Sequence, residues 1–334
     1  MSSRDQRCFV RADRRTALPQ FACLILLLPW LVAVSAASAT PVTPAKIELN
    51  AFDSLKRSVA LANGATLAYV PLGDPQGPPV VLIHGYTDNA RDWVPLVPHL
   101  SPHFRLILVD LRGHGRSGKP ECCYTRFDFA YDIKLLLDAL GVAQADLVGH
   151  SLGSVIAQTL AEYWPERTRR VVLISSTAGP RSGEPPRKPA FDYAAQIRQL
   201  KDPIDPDSPF MMAWWSSPTP VDADFMRRQR QDSAAIPVPV WLAVLDQGVE
   251  PMLAGGELQK SLPRLTAPAL LIWGSKDPIM NEAARATLLE GLPRAQVKIF
   301  DGLGHNPFWE DPRGCAEVIN LFLSAAPRGS GAQP

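Results

Sequence analysis

The sequence predicts an α/β protein with a mostly parallel central sheet covered by helices on both faces. Short apolar runs alternate with longer amphipathic runs along most of the chain, the order that builds parallel strands joined by crossover helices. The run Val80–Ile83 is wholly apolar, as expected for a strand buried on both faces. The 334 residues are 46% hydrophobic and 20% charged, which is enough apolar sequence for one large core.

The predicted elements begin with a hairpin. Asn63-Gly64 supplies the positive φ angles of a tight turn between the strands Arg57–Ala62 and Thr66–Leu72. The further strands are Val80–Ile83, Arg105–Val109, Ala145–Val148, Val171–Ser175, Ala269–Trp273 and Val297–Phe300. The helices are Trp93–Leu100, Phe127–Leu140, Leu152–Trp164, Glu282–Leu292 and Arg313–Leu323.

One interval interrupts this alternation and is rich in proline and aromatic residues. A structureless loop of that length is uncommon in a compact domain, so we predict a helical cap over 178–263, inserted after the sixth strand. The core then comprises residues 55–177 and 264–326. For any single aromatic residue of the cap, packing within the cap is the simpler explanation. As a group, the candidates to line an apolar substrate pocket are Tyr86, Trp214, Trp215 and Trp241.

The N-terminal segment has the composition of an export signal. Arginines precede a nearly continuous apolar run, and Ala37–Ala39 offers small residues for cleavage. We therefore predict an exported protein, periplasmic or secreted, with a signal peptide over 1–39, a linker over 40–54 and a flexible tail over 327–334. The alternative is a membrane anchor formed by residues 21–39, because that stretch nearly reaches the length that spans a bilayer. Membrane contact is expected only if the segment stays uncleaved.

Composition argues against several classes of function. A net charge of +1 gives no basis for nucleic-acid binding. The sequence has neither a metal-ligand spacing nor a phosphate-binding glycine loop, so we expect no metal and no cofactor. Three cysteines follow the N-terminal segment, and an odd number allows at most one disulfide within the chain. The sequence leaves open whether Cys122 or Cys123 pairs with Cys315.

Ser151 is the candidate nucleophile. It lies in L-V-G-H-S-L-G, where the strand Ala145–Val148 ends and an amphipathic helix begins, so it occupies the sharp turn of a nucleophile elbow. Glycine at positions 149 and 153 has a steric explanation, because strand and helix are expected to pack too closely there for β-carbons. The G-x-S-x-G pattern alone also occurs in ordinary turns, and the flanking strand and helix favour the catalytic interpretation.

An elbow serine needs a base to take its proton and a carboxylate to orient that base. The chain order of this arrangement is serine, acid, histidine. His305 is the only histidine after Ser151 and follows the last predicted strand, so it is the candidate base. Asp277 directly follows the strand Ala269–Trp273 and is the preferred acid. Asp301 also follows a strand, but its place close to the histidine indicates that it shapes the loop.

Two backbone N–H groups are the candidate oxyanion donors. Leu152 immediately follows the nucleophile, and Tyr86 lies in the loop after the third strand. The side chain of Tyr86 could also line the pocket. His84 and Gly85, which precede it, are expected to shape the loop rather than react.

The sequence resembles the α/β-hydrolase superfamily over nearly the whole chain beyond the N-terminal segment. The motifs that carry the resemblance occur in the family's order: His84-Gly85-Tyr86, Asp110 to Ser117, the Ser151 elbow, Gly274 to Pro278, and Gly304-His305. The resemblance implies a cofactor-free serine hydrolase, most often a carboxylesterase or lipase, and a structural role for the loop that contains His114. Serine at the elbow argues against haloalkane dehalogenases and epoxide hydrolases, the members of this superfamily that carry aspartate there.

We therefore expect an exported serine hydrolase that cleaves a small apolar carboxylic ester through an acyl-enzyme, using Ser151, His305 and Asp277. A carbon–carbon bond hydrolase, a lactone hydrolase or a perhydrolase with the same triad is the alternative, because the motifs do not separate these reactions. A non-catalytic binding module on the same fold is a third hypothesis, against which the complete triad argues.

Overall fold

The computed structural model describes residues 48–181, 183, 193–254 and 256–325. The predicted signal peptide or anchor, the predicted tail and most of the predicted linker lie outside the described residues. Within the described part of the chain, no helix combines the length and the apolar character needed to cross a membrane.

One eight-stranded sheet forms the centre of the described residues, in the order β1-β2-β4-β3-β5-β6-β7-β8. The strands are β1 (Arg57–Ala60), β2 (Thr66–Gly73), β3 (Pro79–Ile83), β4 (Arg105–Asp110), β5 (Ala145–His150), β6 (Thr168–Ile174), β7 (Ala269–Gly274) and β8 (Gln296–Phe300). The first two pairings, β1 with β2 and β2 with β4, are antiparallel, and all others are parallel. The predicted mostly parallel sheet is confirmed.

Helices flank this sheet and fill the interval between β6 and β7. In chain order they are α1 (Arg126–Ala139), α2 (Leu152–Tyr163), α3 (Tyr193–Ile197), α4 (Pro209–Trp214), α5 (Ala223–Ala234), α6 (Val238–Val244), α7 (Glu250–Ala254), α8 (Glu257–Ser261), α9 (Glu282–Gly291), α10 (Pro307–Glu310) and α11 (Pro312–Ser324). A π-helical turn, Leu245–Val249, joins α6 to α7. The described part of the predicted insertion is therefore helical, from α3 to α8.

One predicted helix is wrong. The range Trp93–Leu100 contains no α-helix, and the chain instead makes two short 3₁₀ turns, Ala90–Trp93 and Val97–His99. Pro95 and Pro98 explain the difference, because proline lacks the N–H that a continuous helix requires.

The described end of the predicted linker is not a linker. Phe52 lies in a short 3₁₀ turn and is fully buried in the core. Arg91 donates to Asp53 at 2.8 Å, and its guanidinium lies over the ring of Phe52. Burial of a large aromatic ring stabilises by about 2 kcal/mol or more, which is enough to hold this segment against the core.

The described cysteines form no disulfide. Cys315 is fully buried on α11, and burial raises the pKa of its thiol far above the usual range. Cys122, one of the candidate partners, is exposed at the surface. Cys315 therefore behaves as a small apolar core residue.

The turn from β5 to α2 leaves no room for β-carbons at two glycines. Every residue of β5 is buried, and its end lies against the first turn of α2 and the end of β3. A β-carbon on Gly153 would overlap the carbonyl oxygens of Ile83 and His84, and one on Gly149 would overlap the backbone of Gly153. Ser151 lies between them with φ of 49°, a backbone conformation that residues other than glycine rarely adopt.

The close packing at this turn predicts that alanine destabilises the protein at Gly153 but not at Gly118. Gly153→Ala is expected to lower the free energy of unfolding by about 1–3 kcal/mol, because the added methyl group overpacks rigid backbone. The matched control is Gly118→Ala, whose β-carbon would meet its nearest neighbour, Thr66 O, at an ordinary 3.4 Å. Urea denaturation should place the control within about 0.5 kcal/mol of wild type. Equal stability of the two variants would contradict the steric explanation.

Candidate active site

His305 and Asp277 form a hydrogen-bonded pair at the carboxyl edge of the sheet. His305 follows β8, Asp277 follows β7, and Nδ1 of the imidazole lies 2.9 Å from Asp277 Oδ2. The other carboxylate oxygen accepts from the N–H groups of Ile279 and Met280 at 2.8 and 2.9 Å. Burial alone would raise the pKa of Asp277, but the neighbouring His305 and the two N–H groups hold it at about 2.

Asp277 is therefore ionised at neutral pH and accepts the Nδ1–H of His305. This tautomer leaves Nε2 with a lone pair, which is the state a general base requires. Asp301, the other candidate acid, accepts from the hydroxyl of Ser275 at 3.0 Å and lies exposed in the loop. The structure thus brings Asp277, and not Asp301, against the imidazole.

Ser151 and His305 line the same cavity, which has a volume of about 490 Å³. The first turn of α2 starts directly after the serine, so the positive end of the helix dipole points to this part of the cavity. Among the described residues the Ser151 hydroxyl has no hydrogen-bond partner, and the structure shows no hydrogen bond between this hydroxyl and the imidazole of His305. Such contacts commonly tighten only in the substrate complex.

The oxyanion loop, His84–Thr87, lies beside the serine. Its conformation is fixed by His84, whose Nε2 accepts from the N–H of Leu111 at 3.0 Å and whose Nδ1 donates to Gly85 O at 2.8 Å. Tyr86 and Leu152, the predicted donors, both line the cavity. Among the described residues neither backbone N–H has an acceptor. Two uncommitted N–H groups beside a serine can stabilise a developing oxyanion.

Helices α4 and α6 are hydrogen-bonded to the oxyanion loop. The indole N–H of Trp214 donates to Thr87 Oγ1 at 2.9 Å. The hydroxyl of Tyr86 donates to the backbone carbonyl of Trp241 at 2.6 Å. Thr87 itself has φ of 68°, so the loop is held in an unusual backbone conformation between core and cap.

Aromatic and aliphatic side chains form most of the cavity wall. Tyr86, Trp214 and Trp215 line it as predicted from the sequence. Trp241 does not, because its side chain is fully buried inside the cap and its indole N–H donates to Ser233 O at 3.3 Å. The prediction for Trp241 is therefore wrong, and packing within the cap explains its position. The other apolar wall residues are Leu152, Val155, Ile197, Leu245, Val249, Met252, Leu253, Ile279 and Met280.

The backbone of His305 is held by two side chains that sequence reasoning missed. Its carbonyl oxygen accepts from the hydroxyl of Ser175 at 2.7 Å and from Nε2 of His150 at 3.1 Å. Glu310 holds the same loop by accepting from the N–H of Gly304 at 2.9 Å. Two sequence signals could have identified these side chains. Ser175 directly follows β6, and His150 directly precedes the candidate nucleophile.

A buried polar cluster lies behind the oxyanion loop and was also missed. Asp88, Asp92 and His150 are nearly or fully buried, and their ligand atoms lie within 4.8 Å of one another. Burial raises the pKa of Asp88 well above its usual range, and burial together with the charge of Asp88 does the same for Asp92. Burial and the neighbouring His305 lower the pKa of His150, so its imidazole is neutral at neutral pH.

Comparison with known proteins identifies similar hydrolases. A sequence profile described as alpha/beta hydrolase fold matches residues 78–230, a range that contains the oxyanion loop and Ser151. A 2-(acetamidomethylene)succinate hydrolase of Mesorhizobium japonicum is 30% identical over 261 residues, covering 75% of this chain and 89% of that protein. A pimeloyl-[acyl-carrier protein] methyl ester esterase of Aeromonas salmonicida is 28% identical over 259 residues, covering 74% of this chain and 96% of that protein.

A solved structure gives the same picture of the fold. The structure of a membrane phospholipase A, described as a bacterial virulence factor, superposes with a TM-score of 0.68. It shares 26% sequence identity, and the match covers 80% of this chain and 85% of that one. These similarities extend over about three quarters or more of the chain.

The site geometry predicts which aspartate supports the serine. Asp277→Asn should slow the reaction of Ser151 with a fluorophosphonate probe by roughly 10³-fold or more, because an amide favours the wrong imidazole tautomer. Asp301→Asn is the matched control and should react at the wild-type rate. Mass spectrometry of the labelled peptide gives both rates. Equal slowing by the two substitutions would contradict the assignment of the acid.

Proposed function

This chain belongs to the α/β-hydrolase superfamily, and we propose that it is a serine hydrolase that cleaves neutral carboxylic esters through an acyl-enzyme. The observation that carries the proposal is the 2.9 Å contact between His305 Nδ1 and Asp277 Oδ2, on the wall of the cavity that Ser151 also lines. The superfamily, together with the similar hydrolases and esterases, supports the assignment of the chain as a hydrolase. Export is part of the same proposal and rests on the composition of residues 1–39 alone.

The first half-reaction forms the acyl-enzyme. Ser151 Oγ attacks the ester carbonyl carbon while His305 Nε2 takes the hydroxyl proton. The carbonyl oxygen becomes an oxyanion, which the N–H groups of Tyr86 and Leu152 stabilise. The tetrahedral intermediate collapses, the carbon–oxygen bond to the alcohol breaks, and the imidazolium returns its proton to the departing alcohol. Asp277 stabilises the imidazolium throughout without accepting a proton.

The second half-reaction releases the acid. Water enters as the nucleophile and gives a proton to His305 Nε2 as its oxygen bonds to the acyl carbon. The second tetrahedral intermediate uses the same two N–H donors, and its collapse breaks the bond to Ser151 Oγ. The proton on the imidazolium passes to that oxygen, which regenerates the free enzyme.

The charges around the cavity favour a neutral substrate. Of the described residues that line it, none is a lysine or an arginine. A substrate with a free carboxylate would bury that charge without a cationic partner, at a cost of several kcal/mol. One relative is named for a succinate derivative and another for a methyl ester. The apolar wall, and the lack of a lysine or arginine among the described lining residues, support an ester of the second kind, neutral at the acyl group that enters the cavity.

The serine mechanism predicts complete dependence on the nucleophile. Ser151→Ala should reduce turnover of p-nitrophenyl butyrate by about 10⁴-fold or more. The small remaining rate would come from substrate binding without the nucleophile. His305→Ala should cause a loss of similar size, since the triad acts as a unit. Far-ultraviolet circular dichroism checks that both variants are folded. Retained turnover in a folded Ser151→Ala variant would contradict the mechanism.

The apolar cavity predicts discrimination against a charged acyl group. p-Nitrophenyl butyrate and mono-p-nitrophenyl succinate share the leaving group and the length of the acyl chain and differ in one carboxylate. We expect kcat/KM for the butyrate to exceed that for the succinate by about 100-fold or more, because the carboxylate would lose its hydration without compensation.

Lactones and vinylogous diketones, the substrates of the alternative reactions, complete that panel. Faster turnover of either class than of the butyrate ester would contradict the assignment to esters. Faster turnover of the succinate would contradict the neutral acyl group and leave the serine mechanism in place.

A further inference from the structure

We propose that this chain binds one divalent transition-metal ion of the Zn²⁺ type between Asp88, Asp92 and His150. The three side chains are at most 5% exposed, and their ligand atoms lie within 4.8 Å of one another. They come from two separate stretches of sequence, which is why no metal-binding spacing is visible in the chain. The proposal concerns a site distinct from the triad and does not depend on which bond the enzyme cleaves.

Three buried atoms in this cluster have no hydrogen-bond partner among the described residues: Asp88 Oδ1, Asp92 Oδ2 and His150 Nδ1. The position of the hydrogen on the His150 imidazole indicates what kind of group could satisfy these three atoms. Its Nε2 lies 3.1 Å from His305 O, and a carbonyl can only accept, so Nε2 carries the hydrogen. Nδ1 of the neutral ring therefore presents a lone pair to the two carboxylates. Three buried acceptor atoms without a donor are costly unless a proton, a water molecule or a cation lies between them.

The distances suit an ion. His150 Nδ1 lies 3.9 Å from both Asp88 Oδ2 and Asp92 Oδ2, which is too long for a direct hydrogen bond. One ligand atom from each residue lies within 4.8 Å of the other two, so the three surround a point at most about 2.8 Å from each, and Zn²⁺ binds nitrogen and carboxylate oxygen at about 2.0–2.2 Å. A small inward movement of the carboxylates closes the difference. A β-carbon on Gly85 would lie 2.6 Å from Asp88 Oδ2 and 3.0 Å from His150 Nδ1, so the glycine keeps the adjoining space open.

The chemistry of the donors selects the kind of ion. An imidazole nitrogen favours a transition ion over Ca²⁺ or Mg²⁺, which prefer all-oxygen sites. Two carboxylates balance the two positive charges, so the cavity floor gains no net charge. The hydrogen bond from His150 Nε2 to a backbone carbonyl is the outer contact typical of a metal-bound histidine. Asp92 has a similar outer contact, since its Oδ1 accepts from Gln229 Nε2 at 3.2 Å.

The ion would join parts of the active site that are distant in sequence. Asp88 follows the oxyanion loop, and His150 precedes Ser151 and holds the backbone of His305. Asp88 and His150 also line the cavity, which gives an ion a route to the site. The role assigned to the ion is to stabilise this arrangement, and it takes no part in bond cleavage.

The test measures metal content and thermal stability of the full chain, purified without a polyhistidine tag. After dialysis against metal-free buffer, mass spectrometry of the elements should find about one transition-metal ion per chain in the wild type. After removal of the ion with a chelator, added Zn²⁺ should raise the melting temperature by several degrees, and Mg²⁺ should not. The titration of the wild type needs no variant, so it stands even if a substitution prevents folding.

Asp92→Asn should lose both the bound ion and the Zn²⁺-dependent rise in melting temperature. The matched control is Asp146→Asn, an equally buried aspartate at the opposite end of β5 that pairs with Arg169. It should keep the ion. A wild-type chain that neither retains an ion nor is stabilised by Zn²⁺ would overturn the proposal, and a shared proton or a water would then satisfy the three acceptors. Full metal content in Asp92→Asn would also overturn it.

Discussion

The contact between Gly153 and the end of β3 is the constraint on which the rest of the site depends. Because glycine has no β-carbon, the strand and the helix can approach each other closely at Gly149 and Gly153, and this close approach requires the sharp turn at Ser151. The turn costs backbone strain, visible in φ of 49°, and the surrounding core holds it. The same contact places the first N–H of α2 next to the oxyanion loop, since the overlapping atoms are the carbonyls of Ile83 and His84. One steric requirement therefore positions both the candidate nucleophile and the candidate oxyanion donors.

The parallel part of the sheet then brings the remaining groups together. In parallel strands every carboxyl end lies at the same edge, so the loops after them form one cluster. Five residues of the candidate site follow the carboxyl ends of strands β3, β5, β6, β7 and β8. In the same order they are Tyr86, Ser151, Ser175, Asp277 and His305. The antiparallel strands β1 and β2 lie at one end of the sheet and contribute no residue to the proposed triad.

Local signals explain how much of the site could be predicted from the sequence. Ser151 is marked by glycines within its own turn, and Asp277 and His305 each follow a recognisable strand. The missed features depend on contacts between distant segments. Nothing near Asp88 indicates that it meets His150. The predicted helix Trp93–Leu100 is a different case, because Pro95 and Pro98 are visible in the sequence and already argue against a continuous helix. Periodicity identifies apolar residues but does not say which neighbour they face.

Trp241 illustrates that last point and also ties the cap to the chemistry. Its side chain is buried in the cap, yet its backbone carbonyl accepts from the hydroxyl of Tyr86, whose own N–H is a candidate oxyanion donor. Trp214 adds a second hydrogen bond, to Thr87 in the same loop. A movement of the cap away from the core must break both hydrogen bonds, because each joins a cap residue to the loop. The position of the cap and the conformation of the oxyanion loop are therefore coupled, so the cap residues that line the cavity also help to hold the proposed oxyanion donors.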